Sequence, residues 1–308
     1  MNILGKRYFF FAFSLVIIIP GLVILIWQII NNQVPLSIDF TGGNLLEVRF
    51  EAAQPAPADI IAVYEDLKIR DVQVQTTEKG TYVIRSAYLD NETRSLVLQT
   101  LEAMFNSNVE LLQAESVGPA IGKEVTARAT IAVAVAALAV VFYITTAFRG
   151  MDHALRYGIC AIIAMLHDVV VVFSVTAIGS VLFGWEMDAL FLTALLTVIG
   201  FSVQDKIVVF DRIRENANIL RRLDFETLVN HSIVQTLQRS INTQLMTVEF
   251  LLLALALMGG VTLQEFSVIL LIGLLSGTYS SIFIAAPILV LWENQEWRKW
   301  FRRKAQPA

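Results

Sequence analysis

The sequence predicts a polytopic α-helical membrane protein with one α+β domain outside the membrane. Hydrophobic residues make up 56% of the 308-residue chain and charged residues only 16%, whereas about a quarter of the residues are charged in an ordinary soluble domain. Six apolar runs are each close to or above the ~20 residues that cross a bilayer as a helix. One long segment between the first two runs changes to the alternating and amphipathic patterns of a small globular domain.

The six apolar runs are predicted to be transmembrane helices, because a helix satisfies its own backbone hydrogen bonds in lipid. The first run is too long for a secretory signal and lacks a small-residue cleavage site, so an uncleaved span is expected. Lysine and arginine lie before the first span, beside the link between the second and third spans, after the fourth span and after the sixth span. The links Trp185–Ala189 and Gly259–Glu265 contain no lysine or arginine. Since lysine and arginine favour the cytoplasmic side, both termini are expected in the cytoplasm. The predicted spans are 8–30, 127–148, 157–184, 190–211, 241–258 and 266–292.

The segment 31–126 is predicted to fold on the far side of the membrane. Its order of strand, helix, two strands, helix and strand is that of the ferredoxin-like motif, an antiparallel sheet under two helices. Glu78-Lys79-Gly80 provides the hairpin signal between the middle strands. Without histidine, cysteine or clustered carboxylates, the segment favours a binding or mechanical role over catalysis. The predicted strands are 44–52, 72–77, 81–89 and 109–116, and the predicted helices are 58–67 and 92–105.

The chain is therefore expected to have four parts. These are the N-terminus with the first span (1–30), the outer domain (31–126), a bundle of five spans (127–292) and a basic cytoplasmic tail (293–308). Within the bundle, 212–239 is predicted to be an amphipathic cytoplasmic link on the membrane surface, with its arginines attracted to anionic lipid. The tail is either a similar lipid-binding segment or a positively charged anchor with aromatic interface residues.

Asp205 and Lys206 lie inside the fourth predicted span. A charge at that depth costs at least about 2.5–3.5 kcal/mol, so intramembrane ionisable residues usually have a function. Burial favours a neutral carboxyl on Asp205 and a nearby cation favours the carboxylate, and a group balanced between the two can load and release a proton. The alternatives are a structural ion pair with Lys206, for which sequence neighbours on a helix are poorly oriented, or a Lys206 side chain that extends to the interface.

Other polar residues in the predicted spans are further candidates for a proton pathway. Arg239 opens the fifth span and could reach inward to Asp205 or outward to lipid phosphates. Glu249, near the middle of that span, is a second candidate or a protonated, hydrogen-bonded group. In the third span, His167 and Asp168 form either a second proton site or a buried structural pair. No metal site is expected, because adjacent helical residues do not share a face.

Small residues recur every four positions in the sixth predicted span, at Gly273, Gly277 and Ser281. Such a stripe allows close helix approach, so a packing role is expected. The functional alternative is a surface that slides against a neighbouring span.

Four segments together resemble the SecF family, the smaller half of the bacterial SecDF protein-export motor. Their arrangement, with one span, an outer domain and five further spans, is also similar to that family. The resemblance implies an RND-type half of six spans that pairs with SecD beside the SecYEG channel. It also implies that the proton-motive force is used to draw preproteins out on the far side. The four segments are IDFTGG at 38–43, SVGPAIGKE at 116–124, residues 199–216 and GLLSGTYSSIFIAAP at 273–287.

The resemblance also assigns roles to residues. In the family, the aspartate of an S-x-x-D element on span four and the arginine that opens span five belong to the proton pathway, and the matching residues are Asp205 and Arg239. Lys206 departs from the family pattern, in which a threonine usually follows the aspartate. A cation there could hold Asp205 ionised, or it could replace part of the role of Arg239.

The same resemblance implies a bacterial cytoplasmic (inner) membrane location and a set of partners. These are SecD, the SecYEG channel, preproteins delivered by SecA, YajC, YidC and membrane lipid, with no nucleic acid, no cofactor and no enzymatic activity. Two other functions remain open, namely half of a proton-coupled RND exporter of small solutes and a structural scaffold of the translocon. An intramembrane aspartyl protease that uses Asp168 and Asp205 is a third alternative. The sequence does not decide between H⁺ and Na⁺ as the coupling ion.

Overall fold

The computed structural model describes most of the chain and divides it into two compact units. The helical unit comprises residues 1–35, 133–185 and 190–308, and the outer unit comprises residues 36–132 and 186–189. Residues 244, 251, 261 and 262 are described by their backbone alone. The described ranges are 2–31, 33–77, 80–149, 154–244, 250–258 and 261–295.

The elements follow one another with short connections. In chain order they are a 3₁₀ turn (Leu4–Lys6), α1 (Arg7–Ile30), α2 (Ile38–Thr41), β1 (Gly43–Phe50), α3 (Pro57–Asp66), β2 (Gln73–Thr76), β3 (Tyr82–Ser86), α4 (Asn91–Phe105), β4 (Val109–Val117), α5 (Pro119–Ala147), α6 (Ala154–Phe183), α7 (Ala189–Ile219), α8 (Phe225–Gln244), α9 (Phe250–Met258), α10 (Val261–Ser280), a π-helical turn (Ser281–Ala285) and α11 (Ala286–Glu293).

Within the described residues, five helices are long and apolar enough to cross a membrane. Each coincides with one of the predicted spans, at times with a longer helix than the apolar run suggested. The predicted fifth span, 241–258, falls on the end of α8 and on α9, and five of its residues lie outside the described ranges. The five helices are Leu4–Ile30, Pro119–Ala147, Ala154–Phe183, Ala189–Ile219 and Leu263–Glu293.

Helices α6, α7 and α10 form the interior of the helical unit. Between 44% and 61% of the apolar window of each corresponding span is buried, compared with 17% for α1 and 6% for α5. Polar contacts fix α1 against α6, because the Gln28 amide donates to the Ser180 hydroxyl over 2.8 Å and the Ser174 hydroxyl donates to the Ile18 carbonyl over 3.3 Å. Asp168 on α6, and Asp205 and Lys206 on α7, are accordingly buried.

The link after α7 folds as a helical hairpin. Helix α7 continues through the first eight residues of the predicted link and ends at Ile219, and α8 begins at Phe225. Leu228 and Ile233 on α8 are buried within the protein, and the Asn216 amide near the end of α7 donates to the Ser232 hydroxyl over 2.8 Å. The apolar side chains expected to meet lipid thus pack in part against the bundle.

The outer unit is built on a four-stranded antiparallel sheet in the order β2-β3-β1-β4. Alternate residues of the central strand β1 point into the core, and Leu46 and Val48 are almost completely buried. They pair in register with Ile84 and Tyr82 of β3, which continue the same apolar face. The register of β1 against β4 shifts between Glu47 and Val48.

Two helices cover this apolar face. Helix α3 begins with Pro57 in its first turn, where a missing N–H costs nothing. Helix α4 is capped by the Asp90 carboxylate, which accepts from the Thr93 backbone N–H over 2.8 Å; this hydrogen bonding holds the pKa of Asp90 below its ordinary value. Ile60 and Leu101 from the two helices are fully buried in the same core as the β1 residues.

Two of the motif segments meet inside the outer unit. Ser37 caps α2 by accepting from the Asp39 N–H over 3.2 Å, and Gly42 follows with a φ of +74°, a conformation that favours glycine. A Cβ on Gly42 would lie 3.0 Å from the Cα of Pro119. The Thr126 hydroxyl on α5 donates to the Phe40 carbonyl over 2.9 Å. The IDFTGG segment and the start of α5 are therefore packed as one piece.

The link between α6 and α7 also contributes to the outer unit. The Ser37 N–H donates to the Met187 carbonyl over 3.1 Å, and Arg85 on β3 forms an ion pair of 2.6 Å with Glu186. Burial raises the pKa of Glu186 above its ordinary value, although the Arg85 cation acts in the opposite direction. The short link thus joins the outer unit through backbone and charge contacts.

The core of the outer unit provides a stability test. We expect Leu101→Ala to lower the free energy of unfolding of this unit by ~2–5 kcal/mol, because it removes buried methyl groups and leaves a cavity. Leu96→Ala, on the exposed side of the same helix, is the matched control and should have little effect. Proteolysis of the full-length protein in increasing urea measures both. Equal sensitivity of the two variants would contradict the described core.

Candidate functional site

Asp205 lies on α7 and is 7% exposed. Its Oδ1 accepts a hydrogen bond of 2.8 Å from the Ser240 hydroxyl on α8. Its Oδ2 accepts a short hydrogen bond from the Ser281 hydroxyl, in the π-helical turn after α10. The carboxylate is thus held by neutral donors from two other helices.

Asp205 also lines a cavity of about 50 Å³. By the same measure a water molecule needs about 10–15 Å³, so the cavity has room for a few. Its other polar lining includes Arg239, Ser240 and Thr243 on α8. Asp205 and Arg239 therefore border one space that is large enough for water.

Arg239 faces this cavity without forming an ion pair to Asp205. Its side chain is exposed, and within the described part of the chain no carboxylate forms a salt bridge with it. The structure therefore brings together the two residues that the sequence singled out for a proton pathway, but not in direct contact. Glu249, the third candidate in this region, lies outside the described residues.

Lys206 points away from Asp205, toward Asp168 on α6. Its Nζ lies 2.8 Å from Asp168 Oδ2, and the two side chains are 0% and 1% exposed. This pairing follows from helix geometry, because neighbouring residues project about 100° apart. Lys206 is therefore the counter-ion of Asp168.

Asp168 is also surrounded by serine hydroxyls. Its Oδ2 accepts from Ser202 on α7 and from Ser280 on α10, both over 2.6 Å. Its Oδ1 accepts from Ser276 on α10 over 2.7 Å. Charge and hydrogen-bonding capacity are satisfied together, which favours the structural role considered for this residue over the role of a proton site.

His167 connects the same cluster to α1. Its Nδ1 lies 3.1 Å from Asp168 Oδ1, and its Nε2 forms a short hydrogen bond with the Ser14 hydroxyl. The ring stacks on Tyr279 with the centroids 6.3 Å apart. Among the described residues, no three His, Cys, Asp or Glu side chains form a group that could hold a metal ion.

The small residues of α10 allow it to approach α7 closely. A Cβ on Gly273 would lie 2.3 Å from a methyl carbon of Val198, and one on Gly277 would lie 3.3 Å from the Cα of Ser202. Ser281, the third residue of the stripe, donates to Asp205 as well as packing. This stripe therefore brings the serines of α10 within reach of both carboxylates.

A π-helical turn interrupts the last span at the level of Asp205. Pro287 follows in the first turn of α11, and its ring would clash with the carbonyl four residues earlier in a regular α-helix. Widening the preceding turn relieves this clash. The wider turn includes Ser281, the residue that holds one oxygen of Asp205.

Sequence reasoning did not identify most of the serines that hold the carboxylates. Ser276 and Ser280 are four residues apart on α10, and Ser202 and Lys206 are four apart on α7, so each pair shares one helix face. The available signal for a polar cluster was this four-residue spacing of serines, in spans that pack against buried charges. Ser240 was visible only as a neighbour of Arg239.

The fold and the site together define a polytopic membrane protein in which the described part of the helical unit buries two carboxylates, Asp168 and Asp205, in different charge environments. The family model for the protein export membrane protein SecD/SecF, C-terminal, matches residues 97–295, and the model for the SecD/SecF GG motif matches residues 29–54. The first match covers more than half of the chain. The chain belongs to the SecD/SecF family of protein export membrane proteins.

Individual relatives agree with this family. The protein translocase subunit SecF of Anaerolinea thermophila is 64% identical over 309 residues, which cover 100% of this chain and 99% of that protein. The protein translocase subunit SecDF of Thermus thermophilus is 36% identical over 282 residues, covering 88% of this chain and 35% of that protein. The crystal structure of a SecDF from Thermus thermophilus, described as a translocon-associated membrane protein, matches with a TM-score of 0.78 and 31% identity. That match covers 96% of this chain and 39% of the SecDF chain.

The close approach of α10 to α7 can be tested at a single glycine. We expect Gly273→Ala to destabilise the protein by ~1–3 kcal/mol, because the added methyl group would overlap the Val198 side chain. Gly200→Ala on α7 is the matched control, since a Cβ there has no neighbour within 4 Å; it should stabilise by up to ~1 kcal/mol. Thermal unfolding of the purified full-length protein measures both. A Gly273→Ala variant as stable as the control would contradict the described packing.

The two buried carboxylates should respond differently to neutralisation. Asp168→Asn leaves the Lys206 cation buried without a counter-charge, so a loss of ~3–5 kcal/mol in unfolding free energy is expected. Asp205→Asn keeps an oxygen that can accept from serine, so a loss of only ~1 kcal/mol is expected. Melting temperatures in the same detergent compare the two. A larger loss for Asp205→Asn would reverse the assignment of the charge partners.

Proposed function

We propose that this chain is a SecF subunit that promotes the late stages of preprotein export across the bacterial cytoplasmic membrane, driven by the proton-motive force. Family membership supports the export role, and relatives in which SecD and SecF are named together as SecDF support SecD as its partner. The SecYEG channel, preproteins delivered by SecA, YajC and YidC are proposed as the further partners. No enzymatic activity is part of this function.

The proposed architecture is an RND-type half with six spans. The region from α8 to α9 would supply the span between α7 and α10. The outer unit is proposed to be ferredoxin-like, which is supported by its strand order and by its two covering helices. The functional parts would be 1–30, 31–126, 127–292 with the cytoplasmic link 212–239, and the tail 293–308, with both termini in the cytoplasm.

Asp205 is proposed as the proton carrier. The observation that carries this proposal is the contrast between the two buried carboxylates. Asp168 has its own cation, Lys206, at 2.8 Å, whereas Asp205 has two neutral hydroxyl donors and a cavity that it shares with Arg239. A carboxyl without a fixed counter-ion can change its charge without leaving another charge unpaired.

Protonation of Asp205 would change its hydrogen bonds to both neighbouring helices. An ionised carboxylate only accepts, whereas a protonated carboxyl donates through one oxygen. The serine at that oxygen, Ser240 on α8 or Ser281 in the π-helical turn, must then rotate its hydroxyl or separate. The attraction of Asp205 to the Arg239 cation across the cavity would weaken at the same time. Both effects would loosen α8 and the last span from α7, and the outer unit would move in response.

The other polar residues have supporting roles in this proposal. Lys206 and Asp168 hold α6, α7 and α10 together, and Gly273 and Gly277 keep the helices close. Arg239 is the cation toward which Asp205 is drawn when ionised, and Glu249 is retained as a candidate relay residue on the same predicted span as Arg239. Each elementary charge that crosses the membrane is worth ~2.3 kcal/mol per 100 mV, enough to shift the populations of two nearby conformations.

The proposal is tested by neutralising Asp205 in a reconstituted export assay. We expect Asp205→Asn to reduce export driven by a proton gradient to the level measured without this subunit, because a neutral amide cannot carry the proton. Vesicles that contain the full-length chain, SecD and the translocation channel allow export of a labelled preprotein to be measured with and without the gradient.

Asp211→Asn is the matched control. Asp211 is an exposed carboxylate on the same helix, where it pairs with Arg214 at 2.5 Å, so proton-dependent export should be retained. Copurification of SecD with both variants confirms assembly. Normal proton-dependent export by an assembled Asp205→Asn complex would refute the proposed role.

A further inference from the structure

The Lys206 ammonium occupies a closed, oxygen-lined position between three helices. Its side chain is 0% exposed. Nζ donates to Asp168 Oδ2 over 2.8 Å and to the carbonyl and hydroxyl oxygens of Ser202. An ammonium group has three N–H donors, so all three have oxygen acceptors. No water or lipid is needed to solvate this charge.

Additional hydroxyl oxygens surround the Asp168 carboxylate. The hydroxyls of Ser276 and Ser280 on α10 both contact the Asp168 carboxylate, over 2.7 and 2.6 Å. The buried Ser202 hydroxyl contacts it over 2.6 Å. The ammonium and the Asp168 carboxylate therefore have three serine hydroxyls and one backbone carbonyl as polar neighbours. Each hydroxyl oxygen has lone pairs for a cation.

This set of ligands matches the chemistry of a small hard cation. Hard cations take oxygen ligands from carboxylates, carbonyls and hydroxyls, and in membrane bundles Na⁺ is coordinated by such groups near the middle of the bilayer. One carboxylate supplies one negative charge, so a monovalent ion leaves the cluster neutral. A divalent ion would leave a buried net positive charge, which is costly.

We propose that the Lys206 ammonium occupies a position that binds Na⁺ when the ammonium is absent. Lys206 would in this way exclude Na⁺ from the helical unit of this chain. Lys206 would then be a specificity-determining residue, because its charge is fixed to α7 and cannot dissociate. The inference concerns the Asp168 cluster and does not depend on proton transfer at Asp205.

The cost of an unpaired buried charge determines what happens when the Lys206 ammonium is removed. A buried carboxylate without a cation is strongly destabilising, and removing one partner of a buried pair costs far more than the pair itself contributes. If the ammonium is removed, the cluster must therefore be neutralised in another way, either by a proton on Asp168 or by a cation from solution. Three oxygens, Asp168 Oδ2 and the carbonyl and hydroxyl oxygens of Ser202, already contact the ammonium, and this arrangement favours the cation.

The test uses Lys206→Met, which keeps an unbranched side chain, ends one atom short of the Nζ position and removes the charge. The full-length variant and the unmodified protein are purified in choline chloride, and their thermal unfolding is followed as NaCl, KCl or choline chloride is added at constant ionic strength. Binding of ²²Na⁺ to the same samples is measured in parallel. Asp168→Asn combined with Lys206→Met is the control, because it keeps the apolar replacement and removes the anion.

We expect the melting temperature of Lys206→Met to rise with Na⁺ and to saturate, since a ligand that binds only the folded state stabilises it. KCl and choline chloride should have much smaller effects. The variant should bind about one ²²Na⁺ per chain. The unmodified protein and the double variant should show neither the Na⁺-specific rise in melting temperature nor the bound isotope.

Two results would overturn the inference. One is a Lys206→Met variant that is folded but shows no difference between Na⁺ and choline in either measurement. The other is a Na⁺ effect of the same size in the unmodified protein or in the double variant, which would locate Na⁺ elsewhere. Lys206→Ser, which adds a hydroxyl ligand, is the second variant in case Lys206→Met does not fold. If neither variant folds even in saturating Na⁺, the ion does not replace the ammonium and the inference is equally wrong.

Discussion

Lys206 and Asp168 form an ion pair in the interior of the helical unit, where neither side chain is more than 1% exposed. An unpaired charge in such a place costs several kcal/mol, so each of the two groups depends on the other. This dependence fixes the side chain of Lys206 toward α6. Asp205, one residue earlier, is consequently left with neutral hydroxyl partners and access to a small cavity. Because of this one lysine, the Asp168 and Asp205 carboxylates have different charge partners.

Close helix packing is what makes this arrangement possible. Serine side chains are short, so Ser276 and Ser280 can reach Asp168 only if α10 approaches α6 and α7 closely. Gly273 allows that approach, because any larger residue would overlap Val198. The small residues therefore determine whether the buried polar groups can form their hydrogen bonds.

Local patterns in the sequence predicted most of the elements, because strand alternation and apolar length are properties of single segments. The helices and strands of the outer unit lie close to their predicted positions, although nothing in the sequence indicated the register shift between Glu47 and Val48. The pairing of Lys206 with Asp168 was not predicted. Helical periodicity shows which face of α7 carries Lys206, but not which of the other helices lies opposite that face. The serine partners were missed for the same reason, since their role depends on contacts between segments far apart in the chain.

The π-helical turn at Ser281–Ala285 has a consequence for the geometry of the last span. Such a turn contains one residue more than an α-helical turn, so everything after it is offset by ~100° of azimuth from a regular continuation. Relaxation of the turn to α-helical geometry would screw α11 about its own axis relative to α10. Loss of the hydrogen bond between the Ser281 hydroxyl and Asp205 would in this way be coupled to rotation of α11 about its axis.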